Sequence, residues 1–297
     1  MTRPSGLPKS SEPDRRAALE AAARRLLSFG IGLEPDEARR EARLLLEHCL
    51  GLTPGRLRSG EREVMPAAEL ERYDSLIERR RRREPVSQII GQWEFWGLPF
   101  FVTPDTLTPR PDTETLVQAA LDLAPDRSAP LRLLDLGTGT GCLLLALLHE
   151  LPNAAGLGID KSAAALAVAE RNAAALGLAG RARFAPGDWA AGLAETFDII
   201  VSNPPYIPQD RIPGLMPEVA RHEPRLALDG GADGLDCYRR LAPQLAARLA
   251  PGGHALLEVG QGQAADAAAI LAAAGLRPAG TRADLGRRDR CIISKKI

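Results

Sequence analysis

The segment SNPPYIP contains the residues best suited to chemistry in this chain: Asn203, Pro204, Pro205 and Tyr206. Two consecutive prolines have locked φ angles and stiffen the backbone. The Asn203 side-chain oxygen and the Pro204 carbonyl are then aimed at one place. Together they can accept both hydrogens of a planar –NH2 group, while the Tyr206 ring lies against its plane. The nitrogen of an amide or a nucleobase has a delocalised lone pair and is a poor nucleophile. Holding it against an electrophilic carbon is most of the catalysis available for such a group.

Three further signals precede that segment. DLGTGTG, at 135–141, places Gly137, Thr138, Gly139, Thr140 and Gly141 between an apolar run and a helical run. Glycines there allow positive φ and close approach of a ligand to the backbone. The spacing is GxGxG rather than the GxGxxG of dinucleotide folds, and a plain tight turn is the alternative. Asp160 ends the next apolar run, GLGID. A carboxylate at such a strand end can accept from two ribose hydroxyls, or it can cap a helix. In GDW, Asp188 can accept from an adenine amino group and Trp189 can stack on a purine. The alternative is a buried loop tryptophan.

These residues need elements to hold them. From 131 onward apolar runs alternate with helical runs: LRLLDLG, GCLLLALLHEL, AAGLGID, SAAALAVAERNAAALG, ARFAPGD, FDIIVSN, GADGLDCYRRLAPQLAARL, GGHALLEVG, DAAAILAAAG and RDRCIIS. Alternation of this kind predicts a parallel sheet covered on both faces. All four signals then fall at the carboxyl ends of successive strands, where open α/β sheets bind ligands. Upstream, 13–87 reads as a helical domain. Helices are predicted over about 13–29, from Pro35 with Ala38, Ala42, Leu45, Leu46 and Cys49 on one face, and from Pro66 into the Arg79, Arg80, Arg81, Arg82, Arg83 run. WEFW and PFFV, either side of Gly97-Leu98, predict a β-hairpin. It belongs to a connection at 88–112 broken by Pro104, Pro109 and Pro111. Residues 1–12 read as a disordered tail, and 113–297 as the α/β domain.

Length and charge narrow the function classes. At roughly 100–200 residues per domain, 297 residues imply about two domains. Lys plus Arg and Asp plus Glu each number 38, which argues against bulk-charge binding to nucleic acid. Four scattered cysteines without a CxxC pair argue against a disulfide framework, and fit a reducing compartment. Dispersed histidines show no metal-ligand spacing, so no metal is expected. No stretch of roughly 18 apolar residues offers a membrane span, and no secretory signal is visible. The five-Arg run is either a solvated helix end or a contact for an acidic partner. His222-Glu223 reads as structural.

The acid-preceded GxGxG loop is the pattern of enzymes that use S-adenosylmethionine, and with NPPY it resembles an amino-group methyltransferase. TPRPDTE (108–114), HEPRLALDGGADGLDCYRRL (222–241), LEVGQGQ and DLGRRDR (284–290), together with the helical N-terminal region, narrow the resemblance to the HemK/PrmC family. These are protein-(glutamine-N5) methyltransferases acting on peptide chain release factors. The chain departs from the family's usual PRPETE and DLAGRDR wording, but not at NPPY. The resemblance implies a Rossmann-like α/β methyltransferase sheet, a helical substrate-recognition domain and a cytoplasmic enzyme. It implies S-adenosylmethionine contacts at the GTGTG loop, Asp160, Trp189 and Asn203. It also implies that Asn203, Pro204, Pro205 and Tyr206 hold the glutamine of a Gly-Gly-Gln loop. Glutamine methylation of a ribosomal protein and adenine-N6 methylation of nucleic acid are the alternatives; neither membrane nor nucleic acid is expected as a requirement.

Overall fold

The computed structural model of the chain describes residues 12–297. The expected tail therefore lies outside the described residues except for Glu12, whose carboxylate accepts from the Ala67 amide at 3.2 Å. The chain divides into two units between Ile90 and Gly91.

The first unit is helical: α1 (Arg15–Ser28), α2 (Pro35–Leu50), α3 (Pro54–Ser59), α4 (Ala67–Arg81) and α5 (Val86–Ile90). Asp14 caps α1 by accepting from the Ala17 amide at 2.7 Å. Helix α2 opens with Pro35, Asp36 and Glu37 and stops at Gly51 in the left-handed conformation. Its Ala38, Ala42, Leu45 and Leu46 are buried with Leu26 of α1 and Tyr73 and Ile77 of α4. The Tyr73 hydroxyl donates to the Ala42 carbonyl at 2.8 Å. Helices α3 and α5 are too short to leave a periodic pattern in the sequence. The Arg run is neither simply solvated nor simply a free cationic patch. Arg79 pairs with Glu84, buried Arg80 with Glu41, Arg81 with Glu78, and Arg83 donates to the Ile31 carbonyl.

The second unit starts with the hairpin β1 (Gln92–Phe95) and β2 (Leu98–Phe101). The turn is Trp96-Gly97, one residue earlier than the sequence reading placed it. Both turn residues have positive φ, 55° and 68°, which matches the twist of the flanking strands. After α6 (Glu114–Asp122) come β3 (Arg132–Leu136), α7 (Cys142–Glu150), β4 (Ala155–Asp160), α8 (Ala163–Ala175), β5 (Ala182–Pro186) and β6 (Phe197–Ser202). Then follow α9 (Pro217–His222), α10 (Asp236–Arg248), β7 (Leu249–Glu258), α11 (Ala264–Ala273), β8 (Arg277–Ala283) and β9 (Asp289–Lys295).

The seven sheet strands run in the order β5-β4-β3-β6-β7-β9-β8. The expectation of a purely parallel sheet is corrected at one edge, where β9 is antiparallel to both β7 and β8. Strand β8 was not legible because all seven of its residues are exposed, so it has no apolar alternation. Elsewhere the period of two is clear. Leu133, Ile199, Leu256 and Ile293 join one core with α6 and α7, while Leu134, Ile200, Leu257 and Ile292 join another with α10 and α11. Chain direction across the sheet reverses between β3 and β6, the topological switch point.

Candidate active site

The loop after β3 is shaped by its glycines. Gly137, Gly139 and Gly141 have φ of 73°, 54° and 79°, a region side chains other than glycine adopt at a cost. The Gly137 and Thr138 amides donate to the Ile159 carbonyl of β4 at 2.8 and 3.0 Å. Beneath the loop, buried Asp135 accepts from the Thr138 hydroxyl at 2.6 Å. Burial pushes its carboxyl up to about 7 against that hydrogen bond. Asn172 of α8 ties the loop to the hairpin: its amide donates to the Thr140 and Phe101 carbonyls and its oxygen accepts from the Phe101 amide.

Asp160 ends β4 beside this loop. Its carboxylate accepts from the Gly139 amide and from the Ser162 amide, both at 2.9 Å. The helix-cap alternative falls to Ser162, which caps α8 through the Ala165 amide. A carboxylate has about four lone-pair sites, so Asp160 retains acceptors for a ligand. After β5, Trp189 adopts φ of 59°, a strained conformation for a bulky residue. Its ring approaches Gly137, where an added Cβ would lie 3.3 Å from it. Its buried Nε1–H has no partner among the described residues. Asp188 is half-exposed and pairs with Arg240 of α10 at 2.5 Å.

At the end of β6, the Ser202 hydroxyl donates to the Leu136 carbonyl at 2.6 Å. That bond brings NPPY against the glycine loop. The Asn203 amide donates to the Thr113 hydroxyl oxygen at 3.3 Å. Thr113 donates to Glu258 at 2.6 Å, and Tyr206 donates to the other Glu258 oxygen at 3.2 Å. Burial pushes the Glu258 carboxyl up to about 7, opposed by the Thr113 hydrogen bond and the charge of Arg290. The Tyr206 hydroxyl is also pushed up, first by burial and then by Glu258. The Tyr206 carbonyl accepts from Gln263 at 3.0 Å. Gly230 leaves room for Tyr206, since a Cβ there would sit 2.8 Å from its backbone.

A cavity of about 480 Å³ joins Gly137, Thr138, Gly139, Thr140, Asp160, Asp188, Trp189, Asn203 and Pro205. Gly141 is not part of its lining; it is the residue that precedes α7. Beside it lies a pocket of about 90 Å³ between Arg110, Asn203, Tyr206, Glu223 and Glu258. Asn203 and Arg110 line both. Pro204 is buried and lines neither.

The residue reading did not single out Arg110, Thr113, Glu223 or Glu258 as parts of the site. Arg110 places one guanidinium nitrogen 2.7 Å from both oxygens of buried Glu223, which gives the structural reading of His222-Glu223 its content. Glu258 had a signal. An acid closing an apolar strand, LLEVG, repeats the pattern of Asp135 in LLDLG.

Residues 17–91 match the family described as PrmC N-terminal domain, and residues 113–219 match the Methyltransferase small domain family. The release factor glutamine methyltransferase of Rhodospirillum rubrum is 51% identical over 94% of this chain and 84% of its own length. That of Bradyrhizobium diazoefficiens is 46% identical over 98% of this chain and 99% of its own. That of Cereibacter sphaeroides is 46% identical over 94% and 97%.

Proposed function

The chain belongs to the release factor glutamine methyltransferase family, and from that membership we infer that it moves a methyl group from S-adenosylmethionine to N5 of the glutamine in the Gly-Gly-Gln motif of release factors. Among the three substrates open to the sequence, membership selects this one. The observation supporting the chemistry is that Asn203 lines both the larger cavity and the smaller pocket. A nucleoside-sized ligand and an amide side chain can then meet at one residue.

The larger cavity fits the methyl donor. Its volume lies in the range of small-molecule sites. The unpartnered Trp189 Nε1–H offers a donor, the Asp160 carboxylate offers acceptors for ribose hydroxyls, and the positive-φ glycines leave backbone open to close approach. Asp188, engaged by Arg240, keeps lone pairs for an adenine amino group. When bound, S-adenosylmethionine supplies an electrophilic methyl carbon on a sulfonium.

Where the smaller pocket meets the cavity, the Asn203 oxygen accepts one amide hydrogen of glutamine; Pro204, buried behind that lining, is assigned to stiffen the backbone that holds Asn203 in place. Tyr206, seated by its hydrogen bond to Glu258, covers the amide plane. With the donor bound, the amide held there would be placed to take its methyl group, and the surplus proton on the nitrogen would leave to solvent. No base is needed before the transition state. Positioning and charge complementarity supply the rate.

The helical unit is assigned to partner recognition, because a glutamine cradle cannot distinguish one glutamine from another. The balanced charge supports a reaction that needs no nucleic acid. The four free cysteines support work in the reducing cytoplasm. No helix among the described residues is long and apolar enough to cross a membrane. The test is incubation with labelled S-adenosylmethionine and release factors, then mass mapping of the modified residue. A mono-methylated glutamine in Gly-Gly-Gln is expected; label elsewhere, or none, overturns the assignment.

A further inference from the structure

We propose that Thr113 and Glu258 are positioning residues for this reaction: they lock the Asn203 amide with its oxygen turned toward the substrate pocket. The proposal rests on the role given to Asn203 above, and it names what makes that role possible.

An asparagine amide has two orientations of nearly equal shape but opposite hydrogen-bond sense. Only one presents an oxygen to an incoming –NH2. The choice is made by a chain of hydrogen bonds. An ionised carboxylate accepts and cannot donate. Thr113 has one hydroxyl hydrogen, and its oxygen stands 2.6 Å from Glu258, so the hydrogen goes there. The Thr113 oxygen then has only lone pairs left for Asn203, 3.3 Å away. The Asn203 –NH2 must face it, and the Asn203 oxygen must face away. The reverse orientation would set oxygen lone pairs against oxygen lone pairs.

Tyr206 spends its own hydrogen on the second Glu258 oxygen, so one buried acid sets both the amide and the ring that covers the substrate. Thr113 is 2% exposed and Glu258 1%, so both groups are largely desolvated and depend on their protein partners. A carboxylate at this depth is costly unless its partners repay the desolvation.

The lock depends on ionisation. A protonated Glu258 donates, and one of the two hydroxyls must turn round to accept. If Thr113 turns, its hydrogen is released and it ceases to dictate the Asn203 orientation. Several groups face Glu258. Thr113 and Asp112 come from the turn before α6, Tyr206 from the NPPY loop, Arg290 and Cys291 from β9, and Cys142 from α7. Tyr238 of α10 donates to the Glu258 backbone carbonyl at 2.7 Å. Burial pushes Cys142 and Cys291 up to about 12 and raises both tyrosines. Arg290 stays charged, bridged to Asp112 and Asp284 at 3.0 and 3.1 Å. Glu258 itself is pushed up to about 7 by burial. Asp135 also titrates there, so a variant must separate the two.

Two measurements on the full-length protein test the proposal. In the first, Thr113→Val lowers kcat on a whole release factor by about 10- to 100-fold, less than the roughly 10²–10³-fold for losing a preorganised group that touches the substrate, because Thr113 acts through Asn203. Its S-adenosylmethionine affinity stays within about twofold of wild type, and Thr113→Ser, which restores the hydroxyl, recovers most of the rate. In the second, protein labelled with 15N-asparagine is titrated from about pH 5 to 9, with the Asn203 side-chain signal assigned by its loss in Asn203→Ala. That signal moves with a midpoint near the Glu258 pKa in wild type and stays still in Glu258→Gln. Wild-type turnover in Thr113→Val, or an Asn203 titration that survives Glu258→Gln, overturns the proposal. If wild type leaves the release factor unmethylated, the proposed function falls, and the amide titration alone still decides the network.

Discussion

Asn203 and Asp160 line the same cavity and are assigned opposite kinds of work. The Asn203 cradle matters most when the nitrogen is attacking, so its loss should appear in turnover. Asn203→Ala is expected to keep the fold and most S-adenosylmethionine binding while kcat falls on the order of 10²–10³-fold. Single-turnover methylation of a release factor measures this, and a near wild-type rate refutes the cradle. The role proposed for Asp160 is to hold a part of the donor that does not react, which is uniform binding. Asp160→Ala should weaken donor affinity by calorimetry while kcat at saturating donor changes little. Its carboxylate also holds the Gly139 and Ser162 amides, so part of that loss will come through the loop. Unchanged affinity refutes the ribose assignment.

At the scale of elements, the site is held by close approach between segments distant in sequence. The amide of Ile207 donates to the Leu228 carbonyl and that of Gly230 to the Ile207 carbonyl, at 3.1 and 2.9 Å. This seats the DGG segment against Tyr206. Gly230→Ala puts a methyl 2.8 Å from the Tyr206 backbone, so something must move. Overpacking of this kind costs about 1–3 kcal/mol, and here it would displace the cradle. Denaturant unfolding should show that loss, with kcat reduced more than donor affinity. Gly214→Ala, which meets nothing within 4 Å, is the control and should change neither. Equal behaviour of the two variants would remove the packing role given to Gly230.

Across the whole molecule, two buried acids tie stability to pH. Asp135 and Glu258 are both pushed up to about 7 by burial. The folded state then binds their protons more tightly than the unfolded chain. Their contribution is full below the ordinary carboxylate pKa and is lost as pH rises to about 7. Glu258→Gln removes one such group. Its unfolding free energy should gain on that of wild type as pH rises from about 5 to 8, by on the order of 3 kcal/mol at most, read by denaturant unfolding at each pH. A difference independent of pH would mean that Glu258 does not titrate there. The two units offer a second test at this scale. A chain shortened to begin at Gly91, the start of the second unit, should bind the methyl donor but methylate a whole release factor poorly. Circular dichroism must first show that it folds. Wild-type rates on the whole factor, from a folded truncation, would end the recognition role of the helices.

Asn203, the glycine loop, Asp160 and Trp189, which the fold brings to one cavity, stand out in the sequence as candidates because the chemistry they suit needs particular residue types close together in the chain. The strands that bear them were legible because burial on two faces makes apolar runs, and α2 because burial on one face leaves a helical period. Strand β8 left no such trace, being exposed throughout, and only pairing revealed that β9 runs against the direction of the other strands. The supports of the site were hidden for a different reason. Thr113 and Glu258 meet across 145 positions, Arg110 and Glu223 across 113, and Asn172 and the hairpin across 71. A hydrogen bond between distant residues has no period and no local spacing. The sequence alone determined which groups could hold an amide and a nucleoside; the tertiary structure decided which way the Asn203 amide faces, because its partner is supplied by another part of the chain.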